Sequence, residues 1–185
     1  MGESPNGEQI ITVQDNLREI QLATVLNLKH MTGRWGHDAE DDYGNKYELK
    51  STTKGSFGTG RDVSLKMIEI WRKRYWICAT GNNLSSGFEF KEIYFLSPYM
   101  LEDWFNNVEQ KIRKDLDLLN VVLSYVEDIL TEIQLQRLEY LIKRGMTYNN
   151  PKIGLPYIKE KGIVLNSENK SEELKNLIKK YPLEC

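Results

Sequence analysis

The sequence has no apolar run long enough to cross a membrane, and its polar start, Met1-Gly-Glu-Ser-Pro, lacks the apolar segment of a signal peptide. It has two cysteines, Cys78 and Cys185, which are too few for a disulfide framework or a zinc site. We therefore expect a cytoplasmic protein without membrane association, in which Cys78 is a small core residue. With 185 residues, 40% of them hydrophobic, a single domain with a sizeable core is the default.

The chain also lacks a net positive charge, since its formal charge is −2. However, the charge is segregated along the sequence. Residues 43–76 contain eight Lys and Arg against three acidic residues, whereas residues 102–139 contain nine acidic and four basic residues. Exposed charges are screened beyond about 10 Å, so a locally basic face can bind a phosphate backbone on an acidic protein. The net charge therefore does not exclude a nucleic-acid partner.

An acidic loop beginning at Asp38 leads through a turn into Glu-Leu-Lys on a predicted strand. Because side chains alternate faces along a strand, Glu48 and Lys50 should point the same way, while their neighbours point into the core. The turn contains Gly44 and Asn45, which both tolerate the positive φ of a tight hairpin. Asp38 can then lie opposite Glu48 and Lys50.

Two carboxylates that converge with a lysine suit the hydrolysis of a phosphodiester. The carboxylates hold one or two Mg²⁺ ions, which neutralise phosphate charge and acidify a bound water. The lysine orients that water and offsets developing negative charge. The alternative is a solvated acidic turn in front of an amphipathic strand, because runs of charge are usually only solvated.

The remaining pattern mixes helices and strands. The first predicted helix has a capping box of Asn16 and Glu19 and ends at Gly33. Its apolar stripe, which we assign to the core or to a dimer contact, contains Leu17, Ile20, Val25, Leu28 and Met31. Further predicted elements are strands at 47–52, 75–80 and 88–96, a turn at 81–83, a helix after Asp62, helices over 98–145 and a last helix near 171–181. This pattern indicates an α/β (α+β) fold with a mixed central sheet flanked by helices.

Several short motifs occur in one order over residues 13–165. They are Val13-Gln-Asp-Asn16, Gly36-His-Asp-Ala39, Tyr47-Glu-Leu-Lys-Ser51, a strand bearing Trp76, and Asn149-Asn-Pro-Lys-Ile153. In this ordered set the chain resembles the PvuII family of type II restriction endonucleases. The resemblance implies a PD-(D/E)xK nuclease fold and a homodimer that embraces double-stranded DNA. It also implies Mg²⁺-dependent, blunt-ended cleavage of both strands within a short palindrome. A cognate DNA methyltransferase is expected in the same restriction-modification system, without a stable complex.

The resemblance also implies roles for residues at the catalytic site. Asp38 and Glu48 become metal ligands, with the Leu49 carbonyl as a further ligand, and Lys50 becomes the catalytic lysine. The family tyrosine near the metal aligns with Trp71, which has no hydroxyl. Any role of that hydroxyl is therefore lost or moved in this chain.

Other residues are implied to contact DNA. Asp15, with Asn16 beside it, falls where the family contacts the minor groove near the dimer axis; its alternative role is a helix N-cap. Asn149 and Asn150 fall where the family contacts base edges, and an asparagine amide can bond an adenine edge bidentately. Their alternative role is an Asx turn before Pro151.

The family's major-groove histidine run is replaced here by Gly58-Thr-Gly-Arg-Asp62, so the recognised sequence should differ. Arg61 suits a guanine edge, Asp62 can accept from a cytosine amine, and Thr59 can contact a base. Alternatively, Asp62 caps the next helix and Arg61 binds a phosphate. We expect Lys54 to bind phosphate irrespective of sequence.

We divide the chain into an endonuclease domain over 1–165, with a helical insertion at about 110–145, and a C-terminal helical extension over 166–185. The insertion and extension either enlarge the dimer interface or cover flanking DNA. Two other functions stay open: a structure-selective or repair nuclease of the same superfamily, and a non-catalytic DNA-binding or helical interaction protein.

Overall fold

The structure, a computed structural model, describes residues 17–32, 36–145 and 147–183. Its helices are α1 (17–25), α2 (Leu65–Trp71), a 3₁₀ turn (Pro98–Leu101), α3 (Glu102–Val126), α4 (Glu132–Gly145), α5 (Leu155–Lys161) and α6 (Lys170–Lys180). Its strands are β1 (Lys29–His30), β2 (Ala39–Glu40), β3 (Lys46–Thr52), β4 (Ser56–Gly58), β5 (Tyr75–Leu84), β6 (Gly87–Leu96), β7 (Lys152–Gly154) and β8 (Ile163–Val164).

Within these ranges a six-stranded sheet has the order β1-β2-β3-β5-β6-β8. Strands β3 and β5 are parallel and the other neighbours are antiparallel, so the sheet is mixed. Strand β4 pairs antiparallel with β7 in a separate two-stranded sheet, which joins segments almost 100 residues apart. The predicted fold class, a mixed central sheet flanked by helices, is confirmed.

The sheet has a hydrophobic core on each face. One core combines Trp76, Cys78 and Leu96 with residues of α2, α3 and α5. The other combines Leu49 and Ile77 with residues of α1 and α6. The alternation of side chains along β5 and β6 thus supplies both cores. Cys78 is fully buried, as predicted, and burial raises the pKa of its thiol to about 12.

Strand β3 shows the alternation that the sequence predicts. Tyr47 and Leu49 are fully buried in the core next to α1 and α6. Glu48 and Lys50 point to the opposite face, in register with Trp76 and Cys78 of the parallel strand β5. The central position of β3 in the sheet therefore holds Glu48 and Lys50 on a rigid support.

The first helix ends earlier than predicted. It ends at residue 25, because Asn27 adopts a left-handed conformation with φ of 53°. The Leu28 N–H then donates to the Ala23 carbonyl at 2.9 Å, and the Asn27 N–H donates to Thr24 at 3.1 Å, which is a Schellman cap. The buried face consists of Leu22, Ala23 and Leu26, whereas part of the predicted stripe is exposed, namely Leu17, Ile20 and Val25.

The predicted turn at residues 81–83 is wrong, because β5 continues to Leu84. Gly81 instead lies at a β-bulge in the pairing of β5 with β6. A Cβ atom at this position would lie 2.0 Å from the backbone carbonyl oxygen of Glu89, so only glycine fits.

Helices occupy both segments that we predict as additions to the domain. Residues 110–126 of α3 and the whole of α4 make up most of the segment 110–145, and α6 covers about half of the C-terminal extension. Helix α6 packs on the sheet, since Leu174 is buried in the core beside α1. Among the described residues no helix is long and apolar enough to span a bilayer.

Candidate active site and DNA-binding edge

A short hairpin holds Asp38 beside β3. The Asp38 N–H donates to the Tyr47 carbonyl at 2.9 Å, and β2 then pairs antiparallel with β3. Gly44 provides the positive φ of the turn, at 81°. Asp41 shapes the turn from inside, because its carboxylate accepts from the backbone N–H of Tyr43 and of Asn45 at 2.9 Å each. The acidic loop therefore has two functions: Asp41 is structural, whereas Asp38 faces the site.

The three side chains predicted to form the catalytic site lie together. Lys50 Nζ is 3.0 Å from Asp38 Oδ2 and 3.1 Å from Glu48 Oε1, and it donates to the Leu49 carbonyl at 2.9 Å. The Leu49 N–H donates to Asp38 Oδ2 at 2.8 Å and fixes that carboxylate. The predicted convergence of these residues is thus present in the structure, while their catalytic roles stay predictions.

For Glu48 and for Lys50 alike, burial and the neighbouring charges of opposite sign shift the pKa in opposite directions. Burial raises the pKa of the Glu48 carboxyl, against the lowering effect of the Lys50 ammonium. Burial alone would lower the pKa of Lys50, but the carboxylates of Asp38 and Glu48 raise it well above its ordinary value. Lys50 therefore stays protonated while two carboxylates surround it.

The oxygen atoms around Lys50 Nζ fit a hard divalent cation. Asp38, Glu48 and the Leu49 carbonyl already surround one positive group, and Mg²⁺ prefers oxygen ligands of these kinds. Across the described ranges no three His, Cys, Asp or Glu side chains form a metal-binding cluster by themselves. Two carboxylates and a carbonyl nevertheless suffice for Mg²⁺, which usually keeps several waters and uses substrate phosphate oxygens.

An open cleft of about 360 Å³ extends from the candidate catalytic residues to the loop after β4. Its lining includes Leu49, Lys50 and Ser51 on one side and Gly58, Thr59, Gly60, Arg61 and Asn150 on the other. Residues predicted to read DNA and residues predicted to cut it thus share one cleft.

The two predicted recognition segments are bonded to each other. The Thr59 hydroxyl donates to the Pro151 carbonyl at 2.6 Å, and the Thr59 N–H donates to Asn150 Oδ1 at 3.3 Å. Val63 and Tyr148 form a β-bridge with backbone bonds of 3.1 and 2.9 Å. The loops after β4 and before β7 therefore act as one unit.

The residues predicted to contact DNA differ in how exposed they are. Arg61 and Asn149 are exposed, as is Lys54. Thr59 is buried, and its hydroxyl already has a protein partner. Asp15 and Asn16 lie outside the described residues, as does the capping box that Asn16 was predicted to form with Glu19.

The alternative role of Asp62 as a helix cap is wrong. The N-cap of α2 is Ser64, whose side chain accepts from the Met67 N–H at 3.3 Å. Asp62 instead has a φ of 55°, and its carboxylate accepts from the Thr147 hydroxyl at 3.3 Å. Its side chain thus joins the two recognition loops.

Two charged residues near the site were missed by the sequence analysis. Arg74 Nη1 donates to Glu48 Oε2 at 2.9 Å. Glu19 of α1 lines the cleft, and its charge contributes to the raised pKa of Lys50. The run of basic residues that ends at Arg74 is visible in the sequence. However, Arg74 reaches Glu48 only because β3 pairs parallel with β5. Trp71, in contrast, is buried against Trp76 and Trp104 and does not line the cleft.

A mixed sheet that brings an aspartate, a glutamate and a lysine together beside a cleft has the arrangement of a PD-(D/E)xK nuclease. The family model described as restriction endonuclease PvuII matches residues 7–134. This match covers 128 of the 185 residues, and the chain belongs to that family. The protein is therefore a type II restriction endonuclease that hydrolyses phosphodiester bonds of DNA. The predicted resemblance and enzyme class are confirmed, and the non-catalytic alternative is set aside.

Proposed function

We propose that this restriction endonuclease cuts both strands of a short palindromic DNA site in an Mg²⁺-dependent reaction and leaves blunt ends. The observation that carries the proposal is the convergence of Asp38, Glu48 and the Leu49 carbonyl around Lys50 Nζ, beside the cleft that reaches Arg61. The palindrome and the blunt ends follow from the family resemblance.

Each residue of the site has a defined task in this proposal. Asp38, Glu48 and the Leu49 carbonyl would hold Mg²⁺, which would acidify a water and neutralise phosphate charge. Lys50 orients the attacking water and offsets negative charge as the water oxygen bonds to phosphorus and a P–O ester bond breaks. Lys50 Nζ lies among these three oxygens, so it would have to give way for a cation to bind there.

The recognition unit supplies the sequence specificity. Arg61 and Asn149 are exposed beside the cleft and can reach base edges. Thr59 and Asn150 take part in the hydrogen bonds that join the two loops. They contact bases if these hydrogen bonds break when DNA binds. Asp62 accepts from a cytosine amine if its hydrogen bond with Thr147 breaks, while Lys54 binds phosphate. Asp15 and Asn16 contact the minor groove near the dimer axis.

Site-specific cleavage is favoured over structure-selective cleavage. The family match is to a restriction endonuclease, and the exposed Asn149 belongs to a motif that suits base reading.

We also propose that the chain consists of an endonuclease domain over 1–165, with a helical insertion at about 110–145, and a C-terminal extension over 166–185. We further propose that the protein is cytoplasmic and that a cognate DNA methyltransferase acts in the same system without forming a stable complex with it.

We expect cleavage to require Mg²⁺. Purified protein incubated with a defined plasmid and Mg²⁺ should produce discrete linear fragments, and EDTA should prevent their appearance, because the carboxylates then lack the cation that activates water. Ca²⁺ is the matched control, since it occupies oxygen sites but acidifies water less. Equal cleavage in EDTA and in Mg²⁺ would contradict the metal assignment.

We expect a homodimer, because the chain carries one Asp38, Glu48 and Lys50 site and cuts two strands in one encounter only if a second copy is present. Two exposed apolar surfaces support this expectation. One consists of Leu17, Ile20 and Val25 on α1. The other consists of Leu118, Val121, Val122 and Tyr125 on α3.

Light scattering at micromolar concentration should give twice the 21.6 kDa chain mass. The variants Ile20→Glu and Val122→Glu each place a charge on one of the two surfaces, and the one that yields a monomer identifies the interface. A wild-type monomer that only nicks DNA, with no change of mass on DNA, would overturn the dimer.

A further inference from the structure

Arg74 links the two sides of the candidate active site. Its Nη1 atom donates to Glu48 Oε2 at 2.9 Å and to the Gly36 carbonyl at 3.1 Å. Glu48 is on β3, and Gly36 lies two residues before Asp38. Arg74 itself lies in the turn between α2 and β5, where its N–H donates to the Trp71 carbonyl at 3.2 Å. One guanidinium thus joins both segments that carry the predicted metal carboxylates.

The contact between Arg74 and Glu48 is buried. The Arg74 side chain is only 11% exposed and the Glu48 side chain 8%. Solvent therefore screens this ion pair much less than a surface pair, and its geometry is more strongly enforced. Glu48 Oε2 contacts Arg74 while Glu48 Oε1 contacts Lys50, so each oxygen has its own cationic partner.

Arg74 supplies the second positive charge of the cluster, while Glu19 on α1 adds a negative charge that also acts on Lys50. Asp38 and Glu48 contribute two negative charges, and Lys50 and Arg74 contribute two positive charges. Without Arg74 the cluster would be more negative and would attract a cation more strongly, but Glu48 would lose the partner that fixes its orientation. Arg74 therefore opposes cation binding electrostatically, while it fixes the orientation of Glu48 that the hydrolysis needs.

We propose that Arg74 is a positioning residue for the hydrolysis. It holds Glu48 by Oε2, which leaves Oε1 directed at Lys50 where a metal would be held, and its bond to Gly36 fixes the segment before Asp38. This inference rests on the proposed metal-dependent function. Arg74 acts through Glu48, and a site whose carboxylates are held in place needs less rearrangement on the way to the transition state.

The test is the Arg74→Gln variant, which removes the positive charge and shortens the side chain. We expect its single-turnover cleavage rate at saturating Mg²⁺ to fall by about 10- to 100-fold, as is typical when a residue that orients a metal ligand is removed. We also expect the variant without DNA to bind Ca²⁺ more tightly, by about 3- to 10-fold in calorimetric titration, because a neighbouring positive charge is gone. Misfolding would lower both quantities, whereas this proposal predicts opposite changes.

Two further variants keep the test decisive. Arg74→Lys retains the charge, so it should bind Ca²⁺ like the wild type and cleave at a rate between the wild type and Arg74→Gln. Arg72→Gln is the matched control, because Arg72 pairs with Glu102 and Glu109 outside the site. It should leave both the cleavage rate and the Ca²⁺ affinity unchanged.

Three results would overturn the role of Arg74: a cleavage rate of Arg74→Gln within twofold of the wild type, weaker Ca²⁺ binding by that variant, or a wild-type rate for Arg74→Lys. If Arg74→Gln does not fold, the rate and Ca²⁺ affinity of Arg74→Lys decide alone. A wild-type protein that cuts no DNA would count against the proposed function, while the Ca²⁺ titrations would still test Arg74.

Discussion

Alanine at Asp38, Glu48 or Lys50 is expected to reduce DNA cleavage by about 10²- to 10³-fold or more, the range seen when one charge-stabilising group is removed from an active site. The reason is that these side chains meet at one point, with Lys50 Nζ within 3.1 Å of both carboxylates. The loss should appear in the rate of the chemical step, measured by single-turnover cleavage at saturating Mg²⁺.

DNA binding by these variants should respond differently from cleavage. Asp38→Ala removes negative charge from a surface that faces phosphate, so in Ca²⁺ or in metal-free buffer it should bind specific DNA at least as well as the wild type. Lys50→Ala leaves two carboxylates close together without their shared cation, so it should bind DNA more weakly in metal-free buffer.

Asp42→Ala is the matched control for these variants. It removes an exposed carboxylate of the same acidic loop, four residues from Asp38, whose side chain is not part of the cluster. We expect this control to retain activity. Substantial Mg²⁺-dependent cleavage by Asp38→Ala or Glu48→Ala would sink the assignment of these residues as metal ligands.

The second large effect is expected in specificity. Arg61→Ala should lower affinity for the cognate site by about 1–3 kcal/mol while leaving non-specific affinity nearly intact, because a base-reading arginine contributes only on the correct base. Arg61 suits this role because it is exposed and lines the cleft that also contains Lys50. Competition binding in Ca²⁺, with cognate and random duplexes of equal length, measures both affinities.

Lys54→Ala is the companion variant. Lys54 is exposed and should contact phosphate, so its loss should weaken binding to all sequences alike and reduce the slope of log affinity against log salt by roughly one. If Arg61→Ala lowered affinity for cognate and random DNA equally, Arg61 would be a phosphate contact and the specificity would reside elsewhere.

The convergence of Asp38, Glu48 and Lys50 could be predicted from the sequence because it depends on local rules. The alternation of side chains along β3 puts Glu48 and Lys50 on one face, and the turn at Gly44 brings Asp38 opposite them. These rules involve a segment of about a dozen residues, in which a strand and a hairpin have strong signatures.

Other features depend on contacts that the sequence does not encode locally. Arg74 reaches Glu48 only because β5 pairs parallel with β3, and β4 pairs with β7 across almost 100 residues. The early end of α1, caused by the left-handed conformation of Asn27, and the bulge at Gly81 were missed for another reason. Each depends on one residue whose backbone conformation or close packing overrides the surrounding hydrophobic pattern.

Site-specific cleavage is tested most directly by sequencing the ends of the fragments that wild-type protein generates from a defined plasmid in Mg²⁺. We expect all ends to fall within one short palindromic sequence, cut at the same position in both strands. Ends scattered over unrelated sequences, or found only at branched or damaged DNA, would contradict it.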